Sequence, residues 1–466
     1  MVGVEESLDL PSICVFTALG YFLDDTTYFK ELKALQPGTT TVTDTTGRII
    51  TSEPYFKWHY EPREISFKQA LDEFTELFET IINEAPGDLL TIPISGGLDS
   101  RTIVAAALGS GKEVQGYSYA FDGGHDETAY GDRMSAQEGF RFHRLTVREG
   151  TLWNYVDALA ERNKCYSEFT HPRQFGFRRE LTEMGGTFLL GHGGDLFFDD
   201  MGVPEHMEEK LIFETVWKRL VKPSGLELGE RLWNAWGLSG TFREYLQDVL
   251  AKSLSEIRIK EANPRLRAFK SRYYVPRWTC TNLELFSDFG PNIIPYFDDR
   301  MCRFICSIPE RWLSGRRIQI EYLKRRAPGL AKIPWQSHYP FNLYNHRWNK
   351  APYNLPYRLY AKARRTLSKR QYVQRNWELQ FLGPKNKSNL ERRLLSDPYL
   401  GDWIPRELTE EFLNLFHEKN SLRYYHSTTM LLTLEAFCRL RSRRQVDPGS
   451  STLIHEDALQ LNNIND

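Results

Sequence analysis

Apolar and polar residues alternate along the chain with two different periods, which separates predicted strands from predicted helices. After Ser66, the segment FKQALDEFTELFETIINEA places apolar residues three and four positions apart over about five turns, which predicts a helix. APGD ends that helix, and DLLTIPIS follows as a short apolar run typical of a buried parallel strand. The alternation continues through EVQGYSYAF, DETAYGDRMSAQEG, FRFHRLTV, GTLWNYVDALAERN and GTFLLGHGGD.

Strands that alternate with helices of about 10–15 residues predict an α/β fold with a doubly wound parallel sheet. Ligands of such sheets bind beyond the carboxyl ends of the strands, where both glycine-rich loops of this chain fall. Residues 1–62 are expected to form a helix followed by short strands. From about residue 210 the pattern is mostly helical, and the polar stretch 447–466 is expected to be a flexible tail.

Composition narrows the function classes. The 466 residues are 41% hydrophobic and carry a net charge of −1, so no global field draws the chain to nucleic acid or a membrane. No apolar run reaches the roughly 18 residues of a transmembrane helix, and the first residues do not resemble a secretory signal. The six cysteines form no CxxC pair or metal-ligand cluster. We therefore expect structural thiols in a reduced, cytoplasmic protein.

The strongest chemical signal is the segment Ser95-Gly96-Gly97-Leu98-Asp99-Ser100, between a predicted strand and a predicted helix. Its glycines let the backbone approach a ligand closely, and the following helix directs free N–H groups at the loop. This arrangement suits phosphate or pyrophosphate. Asp99 would repel a bare phosphate but suits a Mg²⁺ ion that bridges phosphate oxygens. The loop lacks the GK[ST] ending of a Walker A motif.

SGGLDS resembles the PP-loop of ATP pyrophosphatases, and more narrowly the chain is similar to the synthetase half of glutamine-dependent asparagine synthetases. Further segments agree with that family in order along residues 17–340. They are GYFLDDTTYFKELKALQPG, Asp126-Glu127, His143, the loop Gly191-His192-Gly193-Gly194-Asp195, Pro295-Tyr296-Phe297-Asp298, Lys324 and Ile333-Pro334.

The resemblance implies a domain division. Residues 1–62 correspond to the C-terminal part of the family's glutaminase domain, and residues 63–310 to the PP-loop ATP-binding core. Residues 311–446 are then the helical, basic C-terminal part of the synthetase domain.

The resemblance also implies the site. ATP is expected to bind at Ser95, Gly96, Gly97, Asp99, Ser100 and Gly191. Asp99 and Asp195 match the two carboxylates that hold Mg²⁺ on the triphosphate. The implied reaction has two steps: a substrate carboxylate attacks the α-phosphorus of ATP, and ammonia or an amine then attacks the acyl-adenylate and expels AMP.

Three departures from the family pattern bear on the substrate. Position 2 is Val, so the N-terminal cysteine nucleophile of the glutaminase is absent. The nitrogen is then expected as free ammonia, from a separate glutaminase subunit, or as a larger amine. His192 replaces a family glutamate; it is either a proton carrier or a loop residue bonded to backbone. After Pro334 the family's lysine is missing, and Lys324, Lys332 or His338 are the candidates to replace it.

Residues 316–375 contain fifteen lysines and arginines against the single acid Glu321. This is either a solvated helix face or a landing site for an anionic substrate such as an acidic glycan. We therefore expect an ATP- and Mg²⁺-dependent amide ligase, with His192 and Lys324 as catalytic candidates. A cyclase or amidotransferase acting on a surface-glycan uronic acid or a natural product is one alternative. A non-catalytic nucleotide-binding subunit is the other.

Overall fold

The computed structural model describes residues 7–124, 126–367, 375–396 and 398–446. The strands of this part are β1 (Thr39–Thr43), β2 (Ile49–Pro54), β3 (Leu89–Pro93), β4 (Glu113–Phe121), β5 (Arg141–Val147), β6 (Thr187–Leu189) and β7 (Asn292–Ile293). The α-helices of the first 290 residues are α1 (Leu10–Leu19), α2 (Phe67–Asn83), α3 (Asp99–Gly109), α4 (Thr128–Glu138), α5 (Val156–Asn163), α6 (Arg178–Met184), α7 (Gly194–Phe197), α8 (Glu209–Leu220), α9 (Pro223–Ala235), α10 (Phe242–Ser255), α11 (Ala262–Phe269) and α12 (Thr281–Leu283).

The later part of the described chain is helical. Its α-helices are α13 (Asp299–Ser307), α14 (Glu310–Leu313), α15 (Arg317–Arg326), α16 (Pro328–Lys332), α17 (Leu355–Leu367), α18 (Asn376–Phe381), α19 (Pro384–Ser396), α20 (Pro398–Gly401), α21 (Arg406–Asn414) and α22 (Ser421–Val446). A π-helical segment, Lys270–Cys280, continues α11. The predicted helical C-terminal region is confirmed, and the predicted tail at 447–466 lies outside the described residues.

A five-stranded parallel sheet, in the order β5-β4-β3-β6-β7, forms the centre of the fold. Leu90 in the middle strand β3 pairs with Val114 of β4 on one side and Thr187 of β6 on the other. The chain therefore leaves β3 in one direction through β4 and β5, and then crosses back to β6. Such a reversal opens a crevice at the carboxyl ends of β3 and β6, where ligands of doubly wound sheets bind. The predicted α/β fold is confirmed.

The two faces of this sheet are covered by two apolar cores. Leu90 and Ile92 belong to a core shared with α2, α3 and α15. Tyr117 and Phe188 belong to the other core, which includes α1, α9 and α22. The helix α2 begins where the sequence predicts, because the Ser66 side chain accepts a hydrogen bond from the Gln69 N–H at 3.2 Å.

The N-terminal residues are continuous with these cores. The helix α1 is buried along most of its length, and β1 and β2 form an antiparallel hairpin whose residues are mostly exposed. The following segment joins the core domain, since the N–H groups of Glu61 and Arg63 donate to the carbonyls of Cys306 and Ser307 at 2.9 Å. No helix within the described ranges is long and apolar enough to cross a bilayer.

Candidate active site

The loop between β3 and α3 is organised by its two serines. The Ser95 N–H donates to Ser100 Oγ at 3.0 Å, and the Gly97 N–H donates to Ser95 Oγ at 3.2 Å. The helix α3 begins without a side-chain cap, so the N–H groups of its first turn remain available to an anion. The predicted residues Ser95, Gly96, Gly97, Asp99 and Ser100 thus form one turn at the carboxyl end of the central strand.

A segment beyond Pro334 covers this loop. A Cβ atom on Gly96 would lie 2.7 Å from Gln336 Cβ and 2.7 Å from the Tyr130 ring, so only glycine fits there. The Gln336 N–H donates to the Gly96 carbonyl at 3.1 Å, and its side chain donates to Glu127 at 3.0 Å. Glu127, from the predicted acidic pair after β4, therefore lies beside the loop.

A buried arginine holds the same segment against the loop through hydrogen bonds to backbone carbonyls. The Arg101 side chain is fully buried, and its guanidinium donates to the backbone carbonyls of Gly96, Leu330, Ile333 and Pro334 at 2.9–3.3 Å. Burial lowers its pKa to about 10. Arg101 thereby fixes the position of residues 330–336 relative to the loop.

The loop after β6 packs directly on the start of α3. A Cβ atom on Gly191 would lie 3.2 Å from the Ser100 N, and one on Gly194 would overlap the Asp99 carboxylate. Gly193 between them has φ +96°, a left-handed conformation that favours glycine. The structure therefore brings the predicted residue Gly191 against the SGGLDS loop.

Asp99 is held by three side chains, of which only Tyr296 belongs to a segment that the sequence singled out. Its Oδ1 accepts from the Arg316 guanidinium and from Gln319 Nε2, the latter at 3.1 Å. Tyr296 accepts from Gln319 Nε2 at 2.9 Å and donates to the Asp99 carbonyl at 3.2 Å. Burial raises the pKa of Asp99, Arg316 opposes that rise, and the nearby Asp195 adds to it. Asp195 therefore lies close enough for its charge to act on Asp99.

The donor set fits a magnesium ion that travels with a phosphate ligand. Both hydrogen bonds to the Asp99 carboxylate fall on Oδ1, which leaves Oδ2 without a protein partner in the described ranges. Asp195 is exposed. The described residues contain no group of three His, Cys, Asp or Glu side chains placed to hold a metal ion. Two carboxylates with unpaired oxygens suit Mg²⁺, which usually keeps water molecules and phosphate oxygens among its ligands.

His192 and Asp195 share the loop after β6. His192 is exposed, the surrounding protein lowers its pKa by desolvating the ring, and Asp195 opposes that effect. Burial raises the pKa of Tyr274 in the π-helical segment, and the charge of the nearby Asp195 adds to that rise. The catalytic role of His192 stays a prediction.

Lys324 lies elsewhere on α15. Its Nζ forms an ion pair with Glu321 at 2.8 Å and lies 5.5 Å from the centre of the Tyr344 ring. No contact in the described part of the chain joins it to the SGGLDS loop. His338, another candidate for the missing lysine, stacks on Trp335 at 3.9 Å between ring centres. The replacement of the family lysine remains a prediction.

Sequence reasoning missed Arg316, Gln319 and Arg101. Arg316 was counted in the basic stretch, but its exposed fraction is 8%, and it points at Asp99 because Gly315 and Arg316 have φ values of +68° and +61°. A non-glycine residue in that conformation costs about 1–3 kcal/mol, which is typical of functional sites. The sequence signal that could have identified Arg316 was the Ser-Gly-Arg-Arg turn before a helix.

Together the parallel sheet and the glycine-rich loop at its reversal point define an α/β protein with a crevice suited to a phosphate ligand. Residues 90–286 match the family model described as asparagine synthase, so the chain carries an asparagine synthase domain over these residues. That match spans less than half of the chain.

One solved structure resembles the chain only weakly. The NMN synthetase from Francisella tularensis is a structural neighbour with a TM-score of 0.23 and 12% identity, over 45% of this chain and 93% of that chain. At that score the likeness supports no argument. No curated protein matches the chain in sequence.

Proposed function

We propose that the protein is an AMP- and pyrophosphate-forming amide ligase. It activates a substrate carboxylate as an acyl-adenylate, and ammonia or an amine then attacks the activated carbonyl. The observation that carries this proposal is the meeting of the SGGLDS loop with the loop after β6, which brings Asp99 and Asp195 to the mouth of one crevice. From the resemblance to asparagine synthetases, we expect this crevice to bind the ATP triphosphate.

Each part of the crevice has a role in this proposal. The free N–H groups at the start of α3 stabilise negative charge that gathers on pyrophosphate as it leaves. Asp99 and Asp195 would hold Mg²⁺, which neutralises phosphate charge when bound. Arg316 and Gln319 keep Asp99 Oδ1 occupied, so that Oδ2 faces the ligand. His192 lies beside Asp195 as a proton carrier, and Lys324 is retained as a second catalytic candidate.

The nitrogen source and the acyl donor each belong to a small set of chemical classes. Nitrogen arrives as ammonia, as an amine or from a separate glutaminase subunit. The acyl donor is a small carboxylate, the uronic acid of an anionic glycan or a peptide. The exposed basic residues of 347–362, which include Arg347, Lys350, Arg358 and Lys362, suit an anionic donor.

The test is product analysis from ATP. Purified protein is incubated with MgATP, ammonium and one carboxylate at a time: aspartate, glucuronate or a glutamate-rich peptide. We expect AMP and pyrophosphate in equal amounts with one of them, and their loss in Asp99→Ala and Asp195→Ala. Asp248→Ala, which removes an exposed carboxylate on α10, is the matched control and should keep wild-type turnover.

Two results would contradict this function. Production of ADP and phosphate would replace the acyl-adenylate with an acyl-phosphate. Tight MgATP binding with no carboxylate-dependent pyrophosphate release would favour the non-catalytic nucleotide-binding subunit.

A further inference from the structure

A buried glutamate orients a histidine in the loop that follows α5. The Glu168 side chain is 4% exposed, and its Oε2 accepts from the Thr170 N–H at 2.6 Å. Its Oε1 is bonded to Nδ1 of His171. Because a carboxylate accepts and does not donate, Nδ1 carries the proton of the neutral imidazole. Nε2 then carries the lone pair.

The imidazole is open to solvent on its other edge. The His171 side chain is 43% exposed, and within the described ranges its Nε2 has no protein partner. Nε2 is therefore the ring atom that can accept a proton from a ligand. A neutral imidazole held by a carboxylate is the arrangement that accepts a proton in many hydrolases and transferases.

A wall of aromatic rings connects this pair with the crevice. The ring centres of His171 and Trp278 are 4.7 Å apart, and Trp278 stacks on Tyr274 with centres 5.0 Å apart. Burial raises the pKa of Tyr274, and the charge of the nearby Asp195 adds to that rise. His171 therefore lies two ring contacts away from one of the carboxylates assigned to magnesium.

The same loop lies at the carboxyl edge of the sheet. The Arg173 guanidinium lies over the rings of Tyr119 and Phe121 at 5.4 and 5.3 Å. Both residues belong to the last three positions of β4. The SGGLDS loop leaves the neighbouring strand β3 at that edge. His171 and the proposed ATP site thus open on the same side of the molecule.

We propose that His171, oriented by Glu168, is the general base for the nitrogen nucleophile, an inference that rests on the proposed function. As nitrogen attacks the acyl-adenylate, the new C–N bond forms and the C–O bond to AMP breaks. AMP leaves with that electron pair. The proton lost by nitrogen moves to Nε2 of His171, and the Glu168 carboxylate stabilises the imidazolium. His192 lacks such an orienting carboxylate among its hydrogen bonds in the described chain, so it is the weaker candidate for this step.

The test separates activation from amide formation. ATP–pyrophosphate exchange reports activation of the carboxylate identified in the product assay, and amide formation with ammonium reports the complete reaction. We expect His171→Asn to keep exchange within about 2-fold of wild type, while amide formation falls by about 10²–10³-fold, the range for loss of a general base. Hydroxylamine is a strong nucleophile that is already unprotonated at neutral pH, so it depends less on a general base. It should restore acyl transfer in His171→Asn, with the hydroxamate as product.

Glu168 is a positioning residue in this scheme and needs its own readout. Glu168→Gln keeps an acceptor for Nδ1 but removes the charge, so kcat for amide formation should fall while KM for ATP stays unchanged. His206→Asn, at an exposed loop histidine, is the matched control, and thermal unfolding checks that each variant is folded.

The outcomes distinguish the two proposals. Absence of exchange in the wild type with every carboxylate would overturn the proposed function. Exchange together with wild-type amide formation in His171→Asn would overturn the role of His171 alone. An equal loss of exchange and amide formation in a folded His171→Asn would also contradict it, since the histidine would then act before nitrogen attacks.

Discussion

An added methyl group at Gly194 should disturb the crevice more than one at any other glycine of the two loops, because it meets the Asp99 carboxylate. Its backbone is helical without a positive φ, so alanine suits the backbone and the only penalty is space. The added Cβ would overlap the Asp99 carboxylate and lie 3.0 Å from Tyr296 Cζ. To reach van der Waals separation, the carboxylate must move by about 1 Å. We expect Gly194→Ala to cost about 1–3 kcal/mol of overpacking. A displacement of that size typically lowers turnover by about 10²-fold.

The assay is MgATP binding by isothermal titration calorimetry, supported by thermal unfolding. Gly194→Ala should remain folded and bind MgATP at least about 10-fold more weakly, a loss of about 1.4 kcal/mol. Gly109→Ala, at the end of α3, meets no atom within 4 Å and is the matched control. It should bind like the wild type and gain about 0.5–1 kcal/mol of stability. A folded Gly194→Ala protein with wild-type affinity would refute the assignment of Asp99 to the nucleotide site.

Substitutions at three further residues test the interactions around the site and in the core. Arg316→Ala leaves the Asp99 carboxylate without its cation and should cost about 3–5 kcal/mol; Mg²⁺ should raise the unfolding temperature of this variant more than that of the wild type. Arg101→Met leaves the carbonyls of Ile333 and Pro334 without a donor in the described chain, so urea unfolding should show a loss of at least about 2 kcal/mol, partly recovered in Arg101→Lys. His426 is buried, and burial lowers its pKa to about 4, below the unfolded value of 6.5. The unfolded state therefore takes up the proton first, and the unfolding free energy should fall by about 3 kcal/mol from pH 6.5 to 4 on account of His426. His426→Gln should lose this part of the pH dependence; an unchanged slope would contradict the assignment.

The fold was predictable because its signals are local. Alternating strands and helices identify a parallel sheet, and the glycines after β3 and β6 mark the two loops at its reversal point. The SGGLDS loop and Gly191 could therefore be placed together from sequence. The chemistry of such loops follows from residues only a few positions apart.

The supporting residues were not predictable in the same way. Arg316 contacts Asp99 across 217 positions, and nothing in a basic stretch tells a buried guanidinium from a solvated one. Glu168 and His171 lie in an irregular segment with no period. Lys324 was assigned through the resemblance, and its observed partners are Glu321 and Tyr344. Long-range pairing and burial decide these roles, and both need the fold.

The most direct test of the central claim is oxygen transfer from the substrate carboxylate to AMP. The carboxylate that supports pyrophosphate release is labelled with ¹⁸O, and the AMP formed with ammonium and MgATP is analysed by mass spectrometry. The account predicts one ¹⁸O atom in each AMP, because the acyl-adenylate breaks between the carbonyl carbon and the bridging oxygen. Unlabelled AMP, or label recovered in inorganic phosphate with ADP as the co-product, would contradict it.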